Sequence, residues 1–352
     1  YPSFREELPP WYTLEEGKKS FREGDFGSAL TNFEEARNEW RSLWSKHERV
    51  FISLLSIPEA QHIGDSLENI ERYIHDRRFT DAAYSLSQLI YYVGRDTLNN
   101  SVKTTLHFFN LMKDYPEAEY WIAEVYRLEG EKEIAISQYN KALSGVDIRS
   151  PIRRSEILYK IAEVYKESQN YNEMERSLVE ILRGDTLWEE SENFVRNAMK
   201  RTLESGGINQ FLKMYRYDKA QTEKAHRLLG YYYYMSGRYI LAETHLMFAV
   251  LIENTLVIEE VIHKKYDFSF ETLDALIPEL TRRADVKKYM EDSDYYKTLY
   301  YLGAALYANG KEPSAREIWL FLSKNNNEGG EWSLRSGQQI RKPFIEKAIA
   351  MP

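Results

Sequence analysis

The chain contains no cysteine among its 352 residues. This absence excludes disulfides, zinc–thiolate sites and thiol catalysis. Glycine and proline are also scarce, with 17 and 10 residues, which favours helices over turn-rich β structure. Apolar runs are short; the longest, Leu246–Ile252, is interpreted as a buried helix face, and no span of a bilayer is expected.

Positive charge and catalytic motifs are lacking as well. The formal net charge of −8 argues against nonspecific nucleic-acid binding, which needs a basic surface. No phosphate-binding loop, zinc-protease motif, nucleophile elbow or dinucleotide fingerprint occurs. Adjacent acids such as Glu189 and Glu190 point about 100° apart on a helix, so they indicate solvated faces rather than acid–base pairs. The histidines never recur at helical spacing. We therefore expect no enzyme activity, no metal and no cofactor.

A helical hairpin is the clearest feature that the sequence does contain, at Leu229–Ala249. Gly237 can end the first helix because glycine adopts the left-handed conformation without a Cβ penalty. Gly230 and Ala242 are small, which lets the two helix backbones approach closely. The segment therefore predicts two short helices packed against each other.

Weaker copies of this hairpin recur along the chain. The string IAEVY occurs at Ile122–Tyr126 and again at Ile161–Tyr165, in the same phase of two aligned hairpins. In the second of these copies Gln169 replaces the turn glycine and Met174 replaces the small residue. Two other copies match at Gly17, Gly24, Phe26, Ala29, Phe33 and Ala36, and at Leu302, Gly303, Gly310, Ala315 and Trp319.

This pattern resembles the tetratricopeptide repeat (TPR), a helix–turn–helix unit of about 34 residues. The resemblance implies an all-α fold: a right-handed superhelical solenoid of TPR-like hairpins with extra helices between repeats. We expect one elongated solenoid over residues 1–352. The predicted hairpins lie near 10–43, 63–96, 116–149, 155–188, 223–256 and 296–325, with a degenerate pair at 188–217 and a C-terminal capping helix at 332–350.

The resemblance also implies a recognition surface, because the first helix of each such hairpin lines a concave groove. Tyrosine recurs there, and a phenol ring buries a large area while keeping one polar end. The alternative, that these rings pack against helices between the hairpins, stays open. The predicted groove residues are Tyr120, Glu124, Arg127, Tyr159, Glu163, Lys166, Arg227, Tyr231, Tyr234, Tyr300 and Tyr307.

The residue types at these positions indicate which chemical groups of a ligand they would bind. The best-known peptide-binding variant of the family uses Lys and Asn there to hold a terminal carboxylate, and this chain has Tyr and Glu instead. A cation or amine would suit Glu124 and Glu163, unless Arg127 and Lys166 pair with them at a spacing of three residues.

Several functions are compatible with the predicted solenoid and its groove. The leading one is a non-enzymatic scaffold or adaptor that binds a protein or peptide partner in the concave groove. The alternative is a periplasmic accessory protein of envelope assembly or transport, since the chain is similar in size and repeat content to lipid-anchored bacterial envelope proteins. A chain that begins at Tyr1 rather than Met fits a removed export signal or lipid-bearing cysteine, and equally a trimmed cytoplasmic protein.

Two further possibilities concern ligands and assembly. The insertions around Ala249–Asp294 could close the groove into a pocket or pore for a small ligand. Self-association through solenoid ends is compatible with the sequence, although no residue specifies it. No nucleic-acid partner is expected, and a membrane is expected only through an N-terminal lipid.

Overall fold

All regular structure in the described part of the computed structural model is α-helical. The residues described are 9–54, 58–76, 78–93, 100–146, 152–183, 192–214, 216, 221–262, 282–324 and 326–346. No strand occurs within these ranges, so the all-α prediction is confirmed. The chain divides into two compact units, Tyr1–Ile157 and Leu158–Pro352.

The first unit is built from helix pairs. Helix α1 packs on α2, α3 on α4 and α6 on α7, while α2 also packs on α5 and α6. Its central core consists of Leu14, Ala29, Phe33, Ala36, Tyr115, Ala118, Ile122 and Val125. The helices of this unit are α1 (Pro10–Arg22), α2 (Phe26–Leu54), α3 (Pro58–His75), α4 (Phe79–Val93), α5 (Asn100–Met112), α6 (Pro116–Leu128) and α7 (Lys132–Gly145).

The second unit begins within α8 and repeats the same kind of pairing. Its helices are α8 (Arg154–Glu167), α9 (Tyr171–Leu182), α10 (Glu192–Phe211), α11 (Thr222–Met235), α12 (Tyr239–Ile262), α13 (Ala284–Asp292), α14 (Tyr295–Ala308), α15 (Glu312–Lys324) and α16 (Asn326–Arg341). Helix α11 packs on α9 and α12, α12 on α14, α14 on α15, and α15 on α16. Helix α10 kinks at Gly207, where the amide of Ile208 donates to Glu317 of α15 at 3.0 Å.

Within the described ranges, five hairpins close with the same turn. One residue in each turn adopts a positive φ between 57° and 85°, and the next amide donates to the carbonyl five residues earlier at 2.8–3.0 Å. This hydrogen bond satisfies a carbonyl at the helix end. The amide of Arg78 makes the same bond between α3 and α4. The positive-φ residues are Gly24, Gly130, Gln169, Gly237 and Gly310.

Three hairpins also share a close approach between their two helices. A Cβ atom added to the glycine of the first helix would lie 2.6–2.7 Å from a bulky side chain sixteen residues later. Only glycine allows this separation without moving a helix. The pairs are Gly17 with Phe33, Gly230 with Leu246, and Gly303 with Trp319.

The end of the described chain differs from the sequence expectation. The final helix α16 ends at Arg341 instead of extending to 350, and residues 342–346 have no regular secondary structure. Pro343 explains the difference, because proline disfavours helical geometry at the residue before it. Helix α16 also begins at Asn326, before the expected start at 332, and it has a kink at Gly330. Residues 347–350 and 188–191 lie outside the described ranges.

Helix α12 corrects the expectation about apolar runs. Tyr239–Glu259 is long and apolar enough to cross a membrane, and 83% of that window is buried inside the protein. Two polar side chains within it have partners on neighbouring elements: Glu243 accepts from Asn309 at 2.7 Å, and Asn254 donates to the carbonyl of Leu212 at 2.7 Å. Helices packed on all sides are apolar around their whole circumference, which is the pattern observed here.

Candidate binding site

The predicted groove residues of the first unit lie on α6 and are bound to their own hairpin. Glu124 is buried, accepts a hydrogen bond from the Tyr139 hydroxyl and pairs with Arg127 at 2.9 Å. The ring of Tyr120 lies 5.9 Å from that of Tyr139. Burial and the Glu124 carboxylate raise the pKa of Tyr139, so its hydroxyl stays protonated as the donor. The carboxylate expected to attract an amine is therefore used inside the hairpin.

In the second unit, four predicted residues meet at one small cavity of about 110 Å³. The amine of Lys224 lies 5.5 Å over the Tyr159 ring. The Arg227 guanidinium donates to the carbonyl of Ser293 at 2.8 Å and lies 3.5 Å from Asp294. We call this space the arginine cavity; its lining residues are Tyr159, Lys166, Lys224, Arg227, Leu228, Tyr231 and Asp294.

Buried carboxyls hold Arg227 in place from behind. Its Nε lies 2.9 Å from Glu223 and 3.7 Å from Glu253. The hydroxyl of Thr298 lies 3.4 Å from Glu253 and 3.0 Å from the hydroxyl of Tyr231. Burial, and then the neighbouring Glu223, raises the pKa of Glu253. The network fixes one wall of the cavity.

Glu163 and Lys166 do not form the pair that their spacing allowed. Glu163 pairs with Lys160 of the same helix at 2.9 Å. Lys166 instead lines the arginine cavity with Tyr159 and Arg227. Lys166, Lys224 and Arg227 line the cavity with one acid, Asp294, while Glu223 and Glu253 contact Arg227 from behind. The charges at the cavity therefore favour neither an anionic group nor the amine considered above.

A run of phenol rings leads away from the cavity across α11 and α14. The Tyr301 ring lies 5.4 Å from Tyr231, 5.5 Å from Tyr234 and 5.2 Å from Tyr300. All four rings are at most 2% exposed, so they do not form an open groove wall in this structure. Tyr301 was missed by the sequence reasoning, although its adjacency to Tyr300 on an aromatic-rich helix was a usable signal.

Segment 342–346 covers part of this ring cluster. Both Tyr300 and Tyr301 donate a hydroxyl hydrogen bond to the Glu346 carboxylate. Arg335 of α16 lies 3.3 Å from the same carboxylate, and the Glu346 amide donates to the Tyr234 hydroxyl at 3.3 Å. We call Tyr234, Tyr300, Tyr301, Tyr307, Arg335 and Gln339 together the tyrosine surface.

The backbone of the segment is bound as well. The Gln339 side chain accepts from the amide of Phe344 at 2.9 Å and donates to its carbonyl at 3.1 Å. Gln339 also donates to the Tyr300 hydroxyl at 3.1 Å, and the Tyr307 hydroxyl lies 3.5 Å from the carbonyl of Pro343. These contacts hold a segment without regular secondary structure, so three predicted groove residues bind a peptide segment of the chain itself.

Two histidines pair in the core, which their spacing in the sequence concealed. The Nδ1 atoms of His226 on α11 and His245 on α12 are 2.9 Å apart, a hydrogen-bond distance. Both side chains are buried, and burial lowers both pKa values, that of His245 to about 3. Both rings are therefore neutral at pH 7. Among the described residues no group of three or more His, Asp or Glu could hold a metal ion.

Comparison with known proteins adds no function. No family model matches the chain. It is similar to an uncharacterized protein of Treponema pallidum (strain Nichols), with 23% identity over 322 residues, which are 90% of this chain and 85% of the relative.

Proposed function

We propose that the protein is a non-enzymatic scaffold that binds an extended segment of a protein partner along α8, α11 and α14. The observation that carries this proposal is the binding of segment 342–346 by Tyr234, Tyr300 and Tyr307. A surface that hydrogen-bonds both the backbone and a side chain of one peptide stretch is suited to bind another.

The hairpins are proposed to be tetratricopeptide-like repeats that stack as a solenoid. Support comes from the shared positive-φ turn and from the glycine that faces a bulky residue sixteen positions later. Both features recur in the same phase, which is typical of a repeated structural unit.

The carboxyls near the arginine cavity support a binding role over catalysis. Glu223 and Glu253 point at Arg227 rather than at a substrate position, whereas acid–base catalysis needs a group within reach of the reacting atom. The cavity volume of about 110 Å³ is also small beside the 300–1,000 Å³ or so typical of small-molecule sites. It has room for the end of one side chain of a longer ligand.

A peptide-display selection tests the proposal. Random twelve-residue peptides are selected on the full chain and then measured on the variants Lys224→Glu and Tyr307→Ala, one at each end of the proposed surface. Lys288→Glu on α13 and Tyr84→Ala on α4 are the matched controls, because both side chains are exposed and outside the surface.

We expect selected peptides to lose about tenfold in affinity on each surface variant, equal to about 1.4 kcal/mol, and to keep it on the controls. Circular dichroism confirms that each variant is folded. If every selected peptide binds the surface variants and the controls alike, the surface is not a peptide site and the proposal is rejected.

A further inference from the structure

Resting on the proposed function, we infer that segment 342–346 is an intramolecular ligand that a partner peptide of the same chemistry displaces. The partner is an extended stretch that carries an acidic side chain after apolar residues, as Pro343-Phe344-Ile345-Glu346 does. Its carboxylate takes the place of Glu346 on the tyrosine surface.

The carboxylate position is the most specific part of the surface. Glu346 has a side chain that is 6% exposed, with two phenol hydroxyls and a guanidinium as donors. Charge-assisted hydrogen bonds of this kind are stronger than neutral ones, and they discriminate against an amide, which offers one acceptor oxygen and no charge. The site therefore selects an acidic residue.

The backbone contacts select a main chain in the conformation of residues 343–346 and tolerate different side chains. Gln339 bonds both main-chain groups of Phe344, while Tyr234 and Tyr307 contact the main chain of Glu346 and Pro343. Recognition by main-chain hydrogen bonds reads chain direction and geometry. A partner segment needs the same spacing between its bound backbone and its carboxylate.

The apolar residues of the segment are partly buried. Phe344 is 46% exposed and Ile345 is 36% exposed, so more than half of each residue is removed from water. Hydrophobic stabilisation is proportional to the apolar area removed from water. An incoming peptide therefore has to supply apolar residues before its carboxylate as well as the polar contacts.

Attachment to α16 explains why an internal copy competes well. A segment joined directly to its binding site has an effective concentration in the millimolar range. A free peptide binds only the molecules whose own segment has dissociated from the surface. Its apparent affinity is therefore its intrinsic affinity multiplied by the fraction of sites that are open. Weakening the internal contact should therefore strengthen binding of the free peptide.

The test measures binding of a fluorescein-labelled peptide with the sequence of residues 341–348 to the full chain. We expect weak binding to the wild type and binding about tenfold tighter to Glu346→Lys, whose own segment no longer fits beside Arg335. The same peptide with Gln in place of its Glu should bind neither protein. Glu331→Lys is the matched control, since Glu331 also contacts Arg335 but is exposed and outside the surface.

A second variant and a second readout guard against a folding defect. Phe344→Pro removes the amide that donates to Gln339 and should raise peptide affinity in the same direction. Hydrogen exchange should show a protected Phe344 amide in the wild type and fast exchange in Glu346→Lys, with α16 unchanged.

Equal peptide affinity for the wild type, Glu346→Lys and Phe344→Pro overturns the inference, as does an unprotected Phe344 amide in the wild type. Either result leaves the display selection as a separate test of the proposed function. Some selected peptides could lose affinity in Lys224→Glu and keep the same affinity in Glu346→Lys. That result would support the scaffold function and contradict the intramolecular ligand.

Discussion

At the scale of single residues, the hairpins depend on backbone conformation more than on residue identity. Gln169 occupies the position that glycine occupies in the other four turns, with a φ of 57°. A residue with a Cβ pays a steric cost in the left-handed region, which glycine avoids. The turn of α8 and α9 should therefore be the most strained of the set.

The change Gln169→Gly should raise the free energy of unfolding by about 0.5–1 kcal/mol, because it relieves that cost. Gly130→Ala tests the same position in reverse and should lower it by a similar amount. No atom lies within 4 Å of a Cβ added at Gly130, so any loss reports conformation rather than a clash. Urea unfolding midpoints measure both, and a destabilised Gln169→Gly variant would contradict the argument.

A second residue-scale prediction concerns close packing. Gly230→Ala should destabilise the protein by about 1–3 kcal/mol, because the new methyl group would lie 2.6 Å from Leu246. The double variant with Leu246→Ala should lose less than the sum of the two single losses, because the smaller side chain makes room for the new methyl group. Gly27→Ala is the control, since its nearest neighbour would be 3.9 Å away. Additive losses in the double variant would show that the two sites do not touch.

At the scale of elements, the buried His226–His245 pair links α11 to α12 and makes their packing sensitive to acid. Both pKa values are lowered in the folded chain, so below about pH 6.5 the unfolded chain binds protons that the folded chain does not. The contribution of the two neutral histidines to the free energy of unfolding is therefore complete above pH 6.5 and is lost as the pH falls toward 3.

Between pH 6.5 and 5 the free energy of unfolding should fall by about 1 kcal/mol per pH unit for each of the two histidines. The double variant His226→Leu, His245→Leu should show a flatter profile, and His75→Leu, at an exposed site, should keep the wild-type slope. Burial raises the pKa of Glu253, which has the opposite effect, but the comparison between variants cancels it. Parallel profiles for the wild type and the double variant would show that the pair does not carry the acid sensitivity.

Helices and hairpins could be predicted from the sequence where the residues that determine them are close together in the chain. The turn residues Gly24, Gly130, Gly237 and Gly310 punctuate short helices, and the structure closes a hairpin at each. Contacts between residues far apart in the sequence could not be predicted. Tyr300 and Glu346, for example, are 46 positions apart, and no periodicity links them. The spacing of 19 residues hid the histidine pair for the same reason. The groove residues were predicted from their position within each repeat. That position indicates which face of the helix a residue lies on, but not which other segment of the chain covers that face.

At the scale of the whole molecule, the chain contains two compact units, each with its own core. A unit with its own core is expected to fold alone when the cut falls outside a helix. The boundary at Ile157 lies inside α8, so a cut before Ile152 preserves that helix.

A fragment of residues 152–352 should fold independently and unfold cooperatively. Far-ultraviolet circular dichroism should show helix content in proportion to its length, with a single thermal transition. A fragment cut at 158 is the comparison, and it should be less stable because α8 loses its first turn. A fragment 152–352 without a cooperative transition would mean that the second unit depends on the first.

The cellular setting stays a prediction at this scale. A periplasmic, lipid-tethered location predicts an export signal and a cysteine in the gene upstream of Tyr1. Reading that sequence is the direct measurement, and an upstream region without either feature would remove the envelope hypothesis.

The glycine–bulky pairs also constrain how such a chain can change length. The shared turn fixes the number of positions between Gly17 and Phe33, Gly230 and Leu246, and Gly303 and Trp319. One inserted residue in a turn would rotate the second helix by about 100° and carry the bulky side chain off its glycine. Insertions and deletions can accumulate only in the linkers between hairpins, so in a family of homologous genes those linkers are where gaps in an alignment should fall.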